Sequence, residues 1–313
     1  MSDKKTYDLA IIGGGPASLA AAIYTTREDI STVVIEKGVL GGLIAITDKV
    51  ENYPGFPQGI EGLNLSDNLR EQAERFGTEI VLGEVTDIAT DGNLKRLTTT
   101  DGDIYAKAVL IATGTDFKKV DIPGEKEFYA KGVHYCATCD GAFYRDKRLV
   151  LIGGGNSAVQ EALFLTRFAS HIDLLVRSEL KASEVLQHEL EDMVHAGKIT
   201  VHLNTATDEI VGENGKVTKV LGTDKKTGKP VEFPTDGVFV FIGLKPNTGF
   251  LRHIPQLKFD EVGFLVTNDD LQTPIPGVFV AGDVRSGATM QIATAAGEGA
   301  AAALKIRKYL ETL

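Results

Sequence analysis

Short apolar runs that end at or beside a glycine punctuate this chain. Residues 7–12 run into Gly13-Gly14-Gly15, and residues 108–112 into Thr113-Gly114. Residues 148–152 run into Gly153-Gly154-Gly155, and residues 278–281 into Gly282-Asp283. Runs of this length without polar alternation read as strands covered on both faces, as in a parallel sheet. A helical pattern follows the first glycine turn over residues 16–27, and the next apolar run, 32–35, ends at Glu36. An amphipathic helix is predicted over 63–76, stopped by Gly77, with β-like stretches over 79–89 and 95–99.

The pattern then restarts. A strand at 148–152, the glycine turn, a helix over 156–168 and a strand at 171–176 repeat the opening order. Two copies of strand, glycine turn, helix and strand are an internal repeat of a dinucleotide-binding unit. Residues 200–242 read mostly as β, and a helix over 290–310 closes the chain. The last strand and helix find no partner in the second copy, so they are assigned to the first. The expected class is α/β, with two Rossmann-like domains, the second inserted in the first. The outer domain comprises residues 1–116 plus 248–313, and the inserted one residues 117–247.

Composition narrows the chemistry. The 313 residues are 43% hydrophobic and 24% charged, enough for two ordinary cores. Net charge is −10, which argues against nucleic acid and anionic membrane as partners. No apolar run reaches bilayer-spanning length, and residues 1–5 lead almost directly into a strand, so a cytoplasmic location is expected. The only two cysteines are Cys136 and Cys139, which excludes a secreted disulfide framework.

Three motifs carry chemistry. Gly13-x-Gly15 lies between a strand and a helix, and Glu36 follows Gly15 by 21 residues at the tip of the next strand. Such glycines admit a pyrophosphate to the helix N-terminus, and the acid binds ribose hydroxyls. Ser18 stands where a third glycine is usual. Gly153-x-Gly155-x-x-Ala158 has the same setting, but its strand tip carries no acid. Val176 is followed by Arg177, with Lys181 one turn on, so neither an NAD nor an NADP signature is clean, and a relic turn that binds no nicotinamide stays open. Cys136-Ala137-Thr138-Cys139 spaces two sulfurs for a dithiol–disulfide cycle. A metal would need further ligands, and only His134 is near. Asp140, next in sequence, is either a proton donor and acceptor for thiol–disulfide exchange or a turn residue before Gly141. His171, His188, His195, His202 and His253 show no metal spacing, and Tyr53 and Phe56 fit either a flavin environment or ordinary packing.

Taken together, these stretches resemble the low-molecular-weight thioredoxin reductase family. The resemblance rests on Gly13–Ala17, Gly41-Gly42 with Glu51–Phe56, Ile111–Gly114, Cys136–Gly141, Gly153–Ala158 and Gly277–Asp283, from one end of the chain to the other. It implies FAD in the outer domain, held by Gly13, Gly15, Ala17, Glu36, Gly42, Asn52, Thr113, Gly114, Asp283 and Gln291. It implies NAD(P)H at Gly153, Gly155, Ala158, Arg177 and Lys181. It also implies that Cys139 takes electrons from the flavin, that Cys136 attacks the disulfide of a thioredoxin-like partner, and that Asp140 transfers the proton. A cytoplasmic homodimer belongs to the same implication.

The sequence departs from that family around the nicotinamide contacts. The family's His-Arg-Arg, three residues, then Arg reads here Leu175, Val176, Arg177 and Lys181. Its C-terminal Arg-Gln pair reads Met290-Gln291, and Leu43 replaces the usual Gln after Gly41-Gly42. Three readings therefore compete beside an NAD(P)H-dependent reductase. One is a ferredoxin-dependent flavin thioredoxin reductase. Another is a non-catalytic redox- or nucleotide-sensing flavoprotein. The third is a ferredoxin–NADP reductase on the same fold, which the cysteine pair argues against.

Overall fold

The computed structural model describes residues 6–45, 47 and 49–313. The sequence expectation for residues 1–5 lies outside the described residues. The chain forms two compact units, one of residues 1–116 and 245–313, the other of residues 117–244.

The first unit opens with β1 (Thr6–Ile12), α1 (Pro16–Thr26), β2 (Thr32–Glu36), α2 (Gly62–Arg75) and β3 (Glu79–Leu82). A meander of β4 (Val85–Asp91), β5 (Leu94–Thr99) and β6 (Gly102–Ile111) follows. Their sheet has the order β3-β2-β1-β6-β5-β4, and strand Val278–Val280 pairs parallel with β6 in the register Val278–Val109. The run in β1 is apolar at consecutive positions because each face feeds a different core. Leu9 and Ile11 join Leu19, Leu65, Phe279 and Ile306 on one side; Ala10 and Ile12 join Val33, Leu97, Leu251 and Val280 on the other. Successive strand residues point to opposite faces, so two covered faces require apolar residues throughout.

Helix Ile292–Leu310 packs on α1 at very close range. A Cβ on Gly299 would lie 2.0 Å from the Ala17 carbonyl oxygen, so only glycine fits there. This helix begins two residues later than the sequence predicts, because Met290 has a left-handed φ of +56° and Gln291 is the N-cap residue. Tyr53 and Phe56 pack against the core of this unit.

The second unit contains β7 (Val133–His134), α3 (Ala137–Asp140), β8 (Arg148–Ile152), α4 (Asn156–Leu165), β9 (His171–Val176), α5 (Glu184–His195) and β10 (Ile199–Leu203). It continues through β11 (Thr205–Glu213), β12 (Lys216–Asp224), β13 (Pro230–Pro234) and β14 (Gly237–Val240). Five parallel strands stand in the order β7-β14-β8-β9-β10, and β11-β12-β13 form an antiparallel sheet. Helices α4 and α5 cover one face through Leu149, Leu151, Leu174 and Phe239. The antiparallel sheet covers the other through Val150, Ile152, Val220 and Phe233. Helix α4 is three residues shorter than predicted, its end closed by turn bonds from Phe168 and Ala169 to the Leu165 carbonyl. The sequence reading set no bounds for α5, which buries only Leu190 fully and so has a weak apolar face.

The return crossing lies between residues 244 and 245, not between 247 and 248 as read from sequence. Asn247 belongs to the first unit because it is bonded there on three sides. Its backbone N–H donates to the Gly114 carbonyl at 3.0 Å, its Nδ2 donates to the Thr113 carbonyl at 3.0 Å, and Thr113 Oγ1 donates to its carbonyl at 2.8 Å. Among the described residues, no helix is long and apolar enough to cross a membrane.

Candidate functional site

In the first unit the backbone of Gly13 has φ +99°, and a Cβ there would lie 2.5 Å from the Ala112 carbonyl oxygen. Only glycine lets the turn after β1 pass so close to the end of β6. Gly15 is the N-cap residue of α1, Pro16 supplies the preset φ of the first turn, and no side chain caps the helix. A Cβ at Gly15 would meet nothing within 4 Å, so the approach to the helix N-terminus is open. Gly42 faces it, its would-be Cβ 3.8 Å from the Gly15 Cα. Gly41 donates its N–H to the Gly14 carbonyl at 2.8 Å, which ties the second glycine pair to the first.

Glu36 reaches into this turn. Its Oε2 accepts the Gly14 N–H at 2.6 Å and its Oε1 accepts the Gly38 N–H at 2.7 Å. The carboxylate thereby fixes the glycine turn, and each oxygen keeps a lone pair for a ligand hydroxyl.

Asp283 follows Gly282, whose would-be Cβ lies 2.9 Å from the Ala17 Cβ in the first turn of α1. Asp283 Oδ1 is buried without a hydrogen-bond partner among the described residues. Burial, and then the charge of Glu298, push this carboxyl up to about 6. Glu298 itself accepts the Gly282 N–H at 2.9 Å and is paired with Arg285. Asn52 Nδ2 donates to Gln291 Oε1 at 3.2 Å, joining two further residues of the expected set.

The second unit repeats the turn with a different rim. Gly153 has φ +151°, and its would-be Cβ lies 2.4 Å from the Phe241 carbonyl oxygen and 2.7 Å from the Ala158 Cβ. Gly155 is the uncapped N-cap residue of α4, with open space where a Cβ would be. A Cβ on Gly154 would lie 2.7 Å from Val176 Cγ1, where in the first unit a Cβ on Gly14 would meet Glu36. No carboxylate replaces Glu36 at this position. Arg177 and Lys181 are exposed, and neither side chain has an ion-pair partner among the described residues. The Lys181 N–H donates to the Gly154 carbonyl at 2.7 Å, so that side chain starts at the glycine turn.

The cysteines lie in this same unit. Cys136 and Cys139 are joined as a disulfide, and both are half-buried. Cys136 caps α3: its Sγ accepts the Cys139 N–H at 3.1 Å. Asp140 closes α3, and its Oδ2 lies 3.1 Å from Nδ1 of the buried His134. On the other side of that ring, Nε2 is 2.7 Å from the Tyr144 hydroxyl.

The chain matches the pyridine nucleotide-disulphide oxidoreductase family over residues 7–299. It is 43% identical to a thioredoxin reductase of Bacillus subtilis, across 100% of this chain and 98% of that protein. The chain belongs to this family. Within it, a thioredoxin reductase structure from Streptococcus pyogenes superposes with a TM-score of 0.92 at 39% identity, covering 98% of this chain and 99% of that one. A thioredoxin reductase structure from Giardia duodenalis gives 0.91 at 32% identity, covering 98% and 100%. The chain is thus a flavoprotein disulfide reductase of the low-molecular-weight thioredoxin reductase type, with FAD as cofactor. These relatives give no support to the ferredoxin-dependent alternative.

The first unit's residues suit FAD on structural grounds. The α1 N-terminus is open, Gly15 and Gly42 leave space above it, and Asp283 Oδ1 is a buried acceptor awaiting a donor. Sequence reasoning missed Asn247, the Arg285–Glu298 pair and the His134–Tyr144 pair. Each acts through a long-range side-chain contact that no local spacing announces.

Proposed function

We propose that the protein reduces the disulfide of a thioredoxin-like protein, using NAD(P)H as electron donor. The observation that supports this most is the Cys136–Cys139 disulfide, set at the start of α3 with Asp140 at its end. When bound, FAD relays a pair of electrons from the nicotinamide to this disulfide.

The rest is the work of the chain's own residues. Gly13, Gly15, Ala17 and Gly42 admit the pyrophosphate to the α1 N-terminus, and Glu36 binds ribose hydroxyls with its spare lone pairs. Asn52, Thr113, Gly114, Asp283 and Gln291 complete that cofactor set, with Asp283 as hydrogen-bond acceptor. Gly153, Gly155 and Ala158 form the nicotinamide dinucleotide turn. Lacking an acid at Val176, and offering Arg177 and Lys181 unpaired, this rim favours the 2′-phosphate of NADPH over the free hydroxyl of NADH. After reduction, Cys136 attacks the partner disulfide, Cys139 resolves the mixed disulfide, and Asp140 transfers the proton. A redox-cycling pair in a chain with no other cysteine suits the reducing cytoplasm, and a homodimer is the assembly the resemblance implies.

The test uses the yellow holoenzyme, titrated anaerobically with NADPH and with NADH while flavin absorbance near about 450 nm is followed, then mixed with oxidised thioredoxin. Bleaching by NADPH and turnover of thioredoxin are expected in the wild type. Cys136→Ser and Cys139→Ser should keep the flavin and lose turnover. Full thioredoxin reduction by either variant would refute the reading.

A further inference from the structure

A lysine sits where the first unit's core calls for an apolar residue. Lys95 is the second residue of β5, on the same sheet face as Leu97 two positions on. That face is apolar: Leu97 belongs to one core cluster with Ile88, Ile254 and Val278. Lys95 is only 5% exposed, although lysine is almost never fully buried unless it is paired. Its backbone is taken up by the sheet, in register with Thr90 of β4 and Ala106 of β6. Its amine makes no hydrogen bond or ion pair among the described residues. Burial holds that amine below its ordinary value, because the ammonium has given up water without gaining a counter-charge.

Lys95 is not sealed off, because it lines a cleft. The cleft measures about 410 Å³, near the small end of the range of about 300–1,000 Å³ for ligand sites. Its floor is buried and apolar, made by Ile88, Ile254 and Val278. Its rim is exposed and polar at Thr90 and Gln256. A further wall, residues 274–276, belongs to a turn that Thr273 closes. The Thr273 hydroxyl oxygen accepts the Ile275 N–H at 3.2 Å, and the Thr273 N–H donates to the Val278 carbonyl at 2.9 Å. Lys95 is the one charged residue in the lining. All lining residues lie in the first unit, and none is among those expected to hold FAD.

We propose that this cleft binds a small monocarboxylate with an apolar body of one or two rings, its carboxylate paired with the Lys95 ammonium. A buried donor without a partner destabilises the fold, and an anion that completes it recovers that cost. One cation matches one negative charge. A phosphate dianion would want a second cation, and the lining has none. The apolar floor takes the hydrocarbon body, while Thr90 and Gln256 at the rim can bond a polar substituent on it. The site stands apart from the disulfide and both glycine turns, so the proposal does not depend on the reductase reading.

The test titrates the holoenzyme calorimetrically with naphthoate, and with naphthamide as its uncharged match. Naphthoate should bind one per chain, and naphthamide about tenfold more weakly. Lys95→Met keeps the apolar stem and loses the charge. It should weaken naphthoate about tenfold and leave naphthamide nearly unchanged. Hydrogen exchange at Val278–Val280 should slow when naphthoate is added to the wild type, since Val278 lines the cleft. Should Lys95→Met fail to fold, Thr90→Trp decides the matter, being a substitution at the exposed rim. Its indole fills the mouth of the cleft and should abolish naphthoate binding. No binding of naphthoate by the wild type at millimolar concentration would overturn the proposal. Wild-type affinity for naphthoate in Lys95→Met, or undiminished binding in Thr90→Trp, would overturn it as well.

Discussion

Asp283→Asn isolates one buried charge. The Asp283 carboxyl is pushed by burial, and then by Glu298, from an ordinary value of 3.8 up to about 6, and its Oδ1 has no partner among the described residues. A rise of about two units corresponds to about 3 kcal/mol between protonation states, an upper figure for a group that keeps some solvent contact. The sign follows from proton counting. Between about pH 4 and pH 6 the folded protein holds a proton that the unfolded chain has released. The stabilisation is therefore full below about pH 4 and lost as pH rises through about 6. Asparagine does not titrate, so the stability of flavin-free wild type minus that of the variant should fall by up to about 3 kcal/mol from pH 4 to pH 7. Hydrogen exchange at Val278–Val280, in the same unit, reads that difference without relying on a single unfolding transition for two units. Added FAD, as the donor proposed for Oδ1, should flatten the dependence. A difference that stays constant across pH in the flavin-free protein would refute the reasoning.

Other perturbations test separate parts of the structure. Gly299→Ala drives a methyl to 2.0 Å from the Ala17 carbonyl and should cost about 2 kcal/mol or more, lowering the calorimetric melting temperature by several degrees. Arg177→Ala should raise the KM for NADPH about tenfold while leaving that for NADH nearly unchanged, since one charge-assisted bond to a phosphate is lost. Val176→Glu puts a carboxylate where the first unit has Glu36, and steady-state kinetics should show preference moving toward NADH. Arg148→Met removes the guanidinium that donates at 3.0 Å to the buried Asp173, leaving His202 as its close partner. Denaturant unfolding at neutral pH should show a loss of about 2 kcal/mol. That loss should shrink as acid protonates Asp173, whose bonds to His202 and Arg148 outweigh its burial and hold it below its ordinary value.

The parts of the fold that were legible in the sequence are those in which one residue type answers one backbone requirement. Gly13 and Gly153 were readable because a close approach to a neighbouring strand end excludes every side chain. The bounds of β8 and β9 agree with the sequence reading residue for residue, because unbroken apolar runs between glycine and polar signals leave little latitude. Helix α5 was not delimited, since a segment burying one residue fully carries little periodic signal. The sequence pattern assigns Glu36 to a ribose, and the structure shows its carboxylate bonded inside the turn, to the N–H groups of Gly14 and Gly38. Asp140 stands out in the sequence beside the cysteine pair, while His134, which the sequence offers only as a possible metal ligand, is its neighbour in space. Their 3.1 Å approach depends on the register of β7 with β14 and on the gap at Gly237, neither of which a linear spacing encodes.

The two glycine turns share one backbone solution and differ at the rim. In both units the first glycine passes under a strand-end carbonyl, the third caps an open helix, and the middle one packs on the tip of the next strand. These contacts are set by backbone geometry and are indifferent to the ligand's sugar. The strand tip differs. Glu36 in the first unit binds the turn's own N–H groups and still has lone pairs for a diol. Val176 in the second contributes only packing, and beyond it Arg177 and Lys181 are exposed, with no ion-pair partner among the described residues. A diol needs an acceptor held at fixed geometry, so its ligand is tied into the turn. A phosphate needs positive charge within reach, so its ligands can be long and solvated. If the second turn holds NADPH as proposed, the departures at Leu175, Val176 and Lys181 would alter the strength of phosphate recognition, while the contacts of the glycine turn stay as in the first unit.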